Sequence, residues 1–295
     1  MRAHPLVLLL SAALLSAGCT RAVAPEAPPA PVAVGAPAVP AHDNLNAVLW
    51  MQTAVEYRAI AEQTYRAAAE RLDRALKDPA WDALVADERD TPARGLPPAV
   101  VLDIDETVLD NSPYQARLVA QDAQYDEASW DAWVREQKAR AVPGVVEFAK
   151  AAQARGVTLV YISNRAQHLK DATLANLRAV GLPVKDDSVF LGLGTFVEGC
   201  EQEGSEKLCR RRLAGRRYRV LMQFGDQLGD FVQIDANTPD GRAALYEKHR
   251  AWIGERWWVL PNPSYGSWEP ALFDNDWRQP APARRAAKRA ALRAD

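Results

Sequence analysis

The feature that most constrains this 295-residue chain is a series of short apolar runs of β-forming residues, three of them closing on clusters of polar residues. Residues 99–102 read Ala-Val-Val-Leu and 157–162 read Val-Thr-Leu-Val-Tyr-Ile. Residues 218–224 and 256–260 repeat that character, and 189–191 form a shorter run. Runs without polar alternation suit strands buried on both faces. Helical stretches at 144–155, 170–180 and 207–214 lie between them. Strands alternating with helices predict an α/β fold with a doubly wound, mostly parallel sheet. Ligands in such sheets gather at the carboxyl ends of the strands, so the residues just beyond each run carry the functional reading.

The first run opens into Asp103-Ile104-Asp105-Glu106-Thr107. Two carboxylates at i and i+2 beyond a buried strand need a cation nearby, because unpaired buried charge costs several kcal/mol. The second run ends in Ser163-Asn164-Arg165, a hydroxyl and an amide able to bond an oxyanion. The 218–224 run ends in Gly225-Asp226-Gln227-Leu228-Gly229-Asp230, and Lys207 stands ahead of it with Arg210, Arg211 and Arg212. Four acids, a hydroxyl and a lysine at one rim suit phosphoryl transfer. An oxygen-rich set without Cys or His favours a hard divalent ion, Mg²⁺ above all. Asp103 can attack phosphorus and Asp105 can protonate the departing oxygen, then deprotonate water. Ser163 and Lys207 can hold the equatorial oxygens. A lone Asp-x-Asp-x-Thr is weak, and an EF-hand reading fails for want of its Gly and terminal Glu.

Asp-x-Asp-x-Thr, a strand-terminal Ser, a downstream Lys and Gly-Asp-x-x-x-Asp, in that order, resemble the four motifs of the haloacid dehalogenase-like superfamily. Within it, the string Leu102 to Tyr114, Tyr161-Ile162-Ser163-Asn164-Arg165 and the tail Leu260 to Glu269 resemble the class C acid phosphatases, bacterial surface lipoproteins. Trp50-Met51-Gln52 and Glu56-Tyr57-Arg58 resemble the family's opening, so the likeness spans about residues 44 to 270. It implies Mg²⁺ ligands at Asp103, the Asp105 carbonyl and Asp226, with Asp230 orienting metal-bound water or the lysine. It also implies nucleoside monophosphate binding between aromatic rings, placed on Trp130 and Tyr265, with a small helical cap between 111 and 142. The chain departs from the family at Gln227, at Gly229 and around Glu206-Lys207-Leu208.

Ahead of that region, Arg2, the apolar stretch 6–15 and Ser16-Ala17-Gly18 read as an export signal over 1–18, too short to span a bilayer stably. Small residues directly before Cys19 resemble a bacterial lipoprotein signal, which implies a lipidated Cys19. A plain secretory signal, giving a soluble periplasmic or secreted protein, is the alternative. Residues 19–42 are Ala/Pro-rich, a semi-rigid extended spacer. Thr20 after the Cys points by family analogy to the outer membrane of the cell envelope. Leu45 to Lys77 carry apolar residues at helical spacing, one long helix or a broken pair with Asn44 as cap and Pro79 as stop. The phosphatase domain is thus expected over 43–280, followed by a basic solvated tail over 281–295.

Cys200 and Cys209 can close a loop disulfide in an oxidising compartment or remain free thiols. Trp252, Trp257 and Trp258 read as packing residues. With 36 Lys and Arg against 38 Asp and Glu, no basic footprint for a nucleic acid polymer exists. The expected partners are a small phosphomonoester and, through the lipid, a membrane. Two further readings keep the same residues: a phosphotransferase to an acceptor other than water, and a noncatalytic nucleotide-binding lipoprotein.

Overall fold

β1 (Pro98–Leu102) is the central strand of a parallel sheet because both of its faces are apolar. Its neighbours are β4 (Thr158–Ala166) on one side and β6 (Arg219–Gly225) on the other. β5 (Phe190–Leu193) and β7 (Trp257–Val259) complete the order β5-β4-β1-β6-β7. This is a computed structural model, and it describes residues 42–294. The signal over 1–18, Cys19 and the spacer up to residue 41 lie outside the described residues.

The register explains the missing alternation. Successive side chains point to opposite faces, so Val100 and Leu102 join Leu159 and Tyr161 in one core. Ala99 and Val101 join Val160, Ile162 and Val220 in the other. The larger core is closed by α2 (Val55–Lys77), whose Ala61, Tyr65, Ala68, Leu72 and Ala75 form a buried stripe at helical spacing, and by α5 (Val145–Ala154). α6 (Lys170–Ala179) adds Leu174 and Leu177 to the same core. The smaller core takes Ala214 from α7 (Leu208–Arg217).

The N-terminal helical segment is a broken pair. α1 (Leu45–Thr53) ends where Ala54 adopts an extended conformation, and α2 begins one residue later. The expected Asn44 cap is not made. Its backbone is helical (φ −94°, ψ −3°) where a capping residue is extended, and its side chain forms no capping hydrogen bond. Its amide nitrogen instead lies 3.5 Å from Gln115 Oε1.

Between β1 and β4 rises the small cap. β2 (Leu109–Asp110) and β3 (Arg140–Ala141) pair antiparallel at its base, with α3 (Ser112–Ala120) and α4 (Glu127–Glu136) between them. α8 (Pro239–His249) lies between β6 and β7. Trp257 and Trp258 are buried, while Trp252 packs against Trp257 from the side. α9 (Ala281–Ala290) closes the described chain and has no buried residue. It is tied down by ion pairs of Arg285 and Lys288 with Asp43 and of Lys288 with Glu269. No helix among the described residues is long and apolar enough to cross a membrane.

Candidate active site

Asp103 extends the β1 register by one residue, its N–H donating to Phe224 O at 2.9 Å. The chain then coils tightly. The N–H groups of Val108 and Leu109 both donate to Ile104 O, and Glu106 N–H donates to Leu109 O at 2.8 Å. Glu106 takes a left-handed conformation (φ 59°) in this turn although it carries a side chain. Its fully buried carboxylate repays that by accepting from Asn111 N–H at 2.8 Å and from the Tyr265 hydroxyl. Left-handed residues other than Gly persist only where their surroundings over-determine them.

The loops after β1 and β6 and the start of α7 bring their charges together. Asp103, Asp226 and Asp230 each offer an oxygen, all within 4.8 Å of one another. Buried Lys207, just ahead of α7, donates to Asp103 Oδ1 and, at 2.7 Å, to Asp230 Oδ1. Thr107 Oγ1 lies 3.3 Å from Asp103 Oδ2 and 3.4 Å from Asp226 Oδ1. The other Asp226 oxygen is occupied by Gln227 Nε2 at 2.7 Å and Asn262 Nδ2 at 2.8 Å. Asp230 Oδ2 accepts from Gln227 N–H at 2.8 Å, which closes the 226–230 turn. Gly225 makes that turn possible, since a Cβ there would collide with the Asp230 side chain.

Asp105 sits beside this cluster with its own donors. Its Oδ1 accepts from Arg165 Nε at 2.9 Å, Arg165 Nη2 at 2.8 Å and Asn111 Nδ2 at 2.9 Å. Its Oδ2 accepts from Ser163 Oγ at 3.3 Å. Ser163 Oγ also accepts the Arg165 N–H at 3.0 Å. Ser163, Asn164 and Arg165, expected just beyond the strand, belong to the end of β4 itself, and Arg210 in α7 holds them by donating to Ser163 O and, at 2.8 Å, to Asn164 Oδ1.

Burial, with Asp230 and Asp226 adding to it against Lys207, holds the Asp103 carboxyl well above its ordinary range. Burial, reinforced by Asp230, pushes Asp226 up to about 7, and burial with Asp105 pushes Glu106 up to about 8. Lys207 is raised: burial alone would lower it, and Asp103 and Asp230 outweigh that. Burial is the cause the three carboxyls share, and the crowding of Asp103, Asp105, Glu106, Asp226 and Asp230 adds to it. The residues fit a hard divalent cation. Asp103 Oδ2 and Asp226 Oδ1 converge on Thr107 Oγ1, and among the described residues no Cys or His joins the group.

The fold therefore assembles Asp103, Asp105, Lys207, Asp226 and Asp230, which are scattered through the sequence. Ser163 faces Asp105, and Asn164 is exposed on the rim with its oxygen turned to Arg210. Tyr265 is fixed through its hydroxyl to Glu106, and Trp130 is half-buried with the Arg165 guanidinium 5.5 Å from its ring centroid. Trp133 is core, its indole N–H donating to Asn111 Oδ1 at 2.8 Å. Cys200 and Cys209 form a disulfide just ahead of and inside α7. Sequence reasoning gave no role to Arg165, Asn111, Thr107, Gln227 or Asn262. A signal existed for Arg165, because an acid next to a buried strand end needs a cation.

A family profile described as HAD superfamily, subfamily IIIB (acid phosphatase) matches residues 29–268. The class C acid phosphatase of Bacillus anthracis superposes with a TM-score of 0.73 at 34% identity, covering 85% of this chain and 97% of that one. The structure of that enzyme with tungstate bound matches equally, with a TM-score of 0.73 at 34% identity over the same 85% and 97%. The stem 31 kDa glycoprotein of Glycine max is 26% identical over 166 residues, 56% of this chain. The chain spans 58% of the length of that soybean protein. The chain belongs to the acid phosphatase family that forms subfamily IIIB of the HAD superfamily.

Proposed function

We propose that this chain is a Mg²⁺-dependent phosphomonoesterase that hydrolyses small phosphate esters, nucleoside monophosphates foremost, through an aspartyl-phosphate on Asp103. The observation that carries the reading is the convergence of Asp103, Asp226 and Asp230 within 4.8 Å, with Lys207 bridging Asp103 and Asp230. That the Bacillus anthracis relative has been solved with tungstate, a phosphate-like oxyanion, bound to it is in keeping with this reading.

Asp103, the Asp105 carbonyl and Asp226 would hold the cation. When bound, it supplies charge neutralisation for the acids and the substrate phosphate. An Asp103 carboxylate oxygen attacks phosphorus in line, and the P–O bond to the leaving group breaks as Asp105 gives that oxygen its proton. Water then attacks the aspartyl-phosphate, Asp105 takes a proton from it, and Asp103 is released as carboxylate. Lys207 and Ser163 hold the equatorial oxygens, where preorganised donors act strongly. Trp130 and Tyr265 would flank the base of the nucleotide. A general acid and base beside the nucleophile favours hydrolysis over transfer to another acceptor, and over a mere binding role.

The export signal, lipidated Cys19 and Pro-rich spacer put the domain in the cell envelope, at the outer membrane. Cys200–Cys209, a disulfide in a domain of this size, supports an oxidising compartment.

The deciding experiment is inorganic phosphate release from a panel of nucleoside monophosphates and other esters, with EDTA and with Mg²⁺. Turnover restored by Mg²⁺ and abolished in Asp103→Asn is expected. Saturable nucleotide binding without phosphate release, or dominant phosphate transfer to an added alcohol, overturns it. Globomycin-sensitive maturation and palmitate labelling of Cys19 test the anchor.

A further inference from the structure

Arg165 is among the most deeply buried side chains, 1% exposed, and every polar nitrogen of its guanidinium has a partner on a different element. Nε and Nη2 both reach Asp105 Oδ1, at 2.9 and 2.8 Å. Nη2 also donates to Asn111 Oδ1 at 3.2 Å, and Nη1 donates to Thr173 Oγ1 on α6 at 3.4 Å. The guanidinium lies 5.5 Å from the Trp130 ring centroid on the cap helix α4. Asn111 ties the same knot from the other side, giving Nδ2 to Asp105 Oδ1 at 2.9 Å and receiving the Trp133 indole N–H at 2.8 Å.

The two oxygens of Asp105 are thereby made unequal. Oδ1 is saturated by the Arg165 fork and Asn111. Oδ2 has only Ser163 Oγ at 3.3 Å, and the carboxylate is 16% exposed against 0% for the Arg165 side chain. Among the described residues Oδ2 is the oxygen short of donors, on a side chain that is partly exposed. Two guanidinium N–H groups and the Asn111 amide converge on Oδ1 and hold it from three directions while neutralising it, and this pinning sets the direction in which Oδ2 projects.

We propose that Arg165 is a positioning residue. It holds Asp105 Oδ1 so that Oδ2 alone carries the proton delivered to the leaving oxygen, and it joins that alignment to the cap through Trp130 and Asn111. This rests on the phosphatase reading. In the first half-reaction the P–O bond electrons pass to the leaving oxygen, which takes the proton from Oδ2. Asp105 is then a full carboxylate beside Arg165. In the second, water gives one of its own protons to Oδ2 as its oxygen bonds to phosphorus and the P–O bond to Asp103 breaks, which restores both side chains. Arg165 itself neither gains nor loses a proton.

The test compares kcat/KM on p-nitrophenyl phosphate, whose leaving group needs little protonation, with kcat/KM on glycerol phosphate, whose alkoxide needs it. General-acid help is worth roughly 10²–10⁴-fold. Arg165→Gln is therefore expected to lose about 10–100-fold more on glycerol phosphate than on p-nitrophenyl phosphate, part of that range. Arg165→Lys should lose less, and Arg165→Gln combined with Asp105→Asn should be no worse than Asp105→Asn alone. Equal losses on both esters, or a rise in KM with kcat unchanged, overturn the role of Arg165. If Arg165→Gln does not fold, Asn111→Ser carries the same comparison, and a flat profile there overturns it too. A wild-type protein inactive on both esters removes the phosphatase reading itself, which is a different outcome from an active enzyme with a flat Arg165 profile.

Discussion

Lys207 Nζ donates to Asp230 Oδ1 at 2.7 Å, across 23 residues of chain, while its second bond reaches Asp103, 104 residues away. One buried ammonium thus joins the loop after β1 to the loop after β6. A buried cation between two acids is stabilising only while both partners remain.

Asp103→Asn should keep the fold and lose the chemistry. The amide retains the size of the side chain but cannot form the acyl phosphate. Phosphate release is expected to fall by roughly 10³-fold or more, as for other nucleophile deletions. The protein should still melt cooperatively. Activity within tenfold of wild type would leave the nucleophile elsewhere.

Metal removal should change the pH dependence of stability. Glu106 at about 8 and Asp226 at about 7 are both raised above their ordinary values of 4.5 and 3.8. In that interval the folded state keeps protons that the unfolded chain has released, so stability falls as pH rises. The penalty is absent below pH 4 and complete above pH 8. Glu136, drawn down to about 2 by Arg117 and Lys138, works in a separate window: its contribution is lost as pH falls from 4.5 towards 2. With EDTA the melting temperature should therefore be higher at pH 5 than at pH 8. Mg²⁺ should raise it more at pH 8, where the acids are free to bind. A metal-free melting temperature that climbs from pH 5 to pH 8 would contradict this.

Gly225→Ala should cost activity without replacing any charged group. The added methyl meets the Asp230 side chain, which must move away from Lys207 and from Gln227 N–H. A fall in kcat of at least about tenfold is expected, since about 1.4 kcal/mol of misplacement suffices for that. Unchanged kcat would show that the 226–230 turn tolerates a Cβ.

Glu88 and Arg211 form a second buried pair, with Arg211 Nη1 also donating to Gly229 O at 2.6 Å. Removing one partner strands the other. Glu88→Ala should cost about 3–5 kcal/mol in urea unfolding. A cost below 1 kcal/mol, near the value of an exposed pair, would mean that water reaches Arg211.

Replacing Cys200 and Cys209 by Ser should lower stability by on the order of 2–3 kcal/mol, the chain-entropy value for so short a loop. The loop also carries Lys207, so kcat should fall as well. A double variant with unchanged melting and kcat would make the bridge incidental.

Most of the architecture was legible because burial on both faces writes an unmistakable pattern. Residues 99–102 and 218–224 carry no polar alternation, and they are β1 and β6 at the centre of the sheet. The break at Ala54 was left open, since apolar spacing runs through it unchanged. Asn44 misled because capping depends on backbone angles, which residue type alone does not set. Gly225 and the acids around it are readable as a motif, whereas the pairing of Arg165 with Asp105 and of Asn262 with Asp226 depends on contacts between distant segments.

The amino-acid order by itself determined which residues stand at strand ends, and hence which chemistry one rim of the sheet can collect. It did so because side-chain period and helix spacing are local properties. Tertiary structure alone decided the strand order, the partner of each acid and the pairing of Asp105 with Arg165 beside the Asp103–Asp226–Asp230 group. Those depend on crossovers that bring residues together from opposite ends of the domain, and no local pattern records such distances.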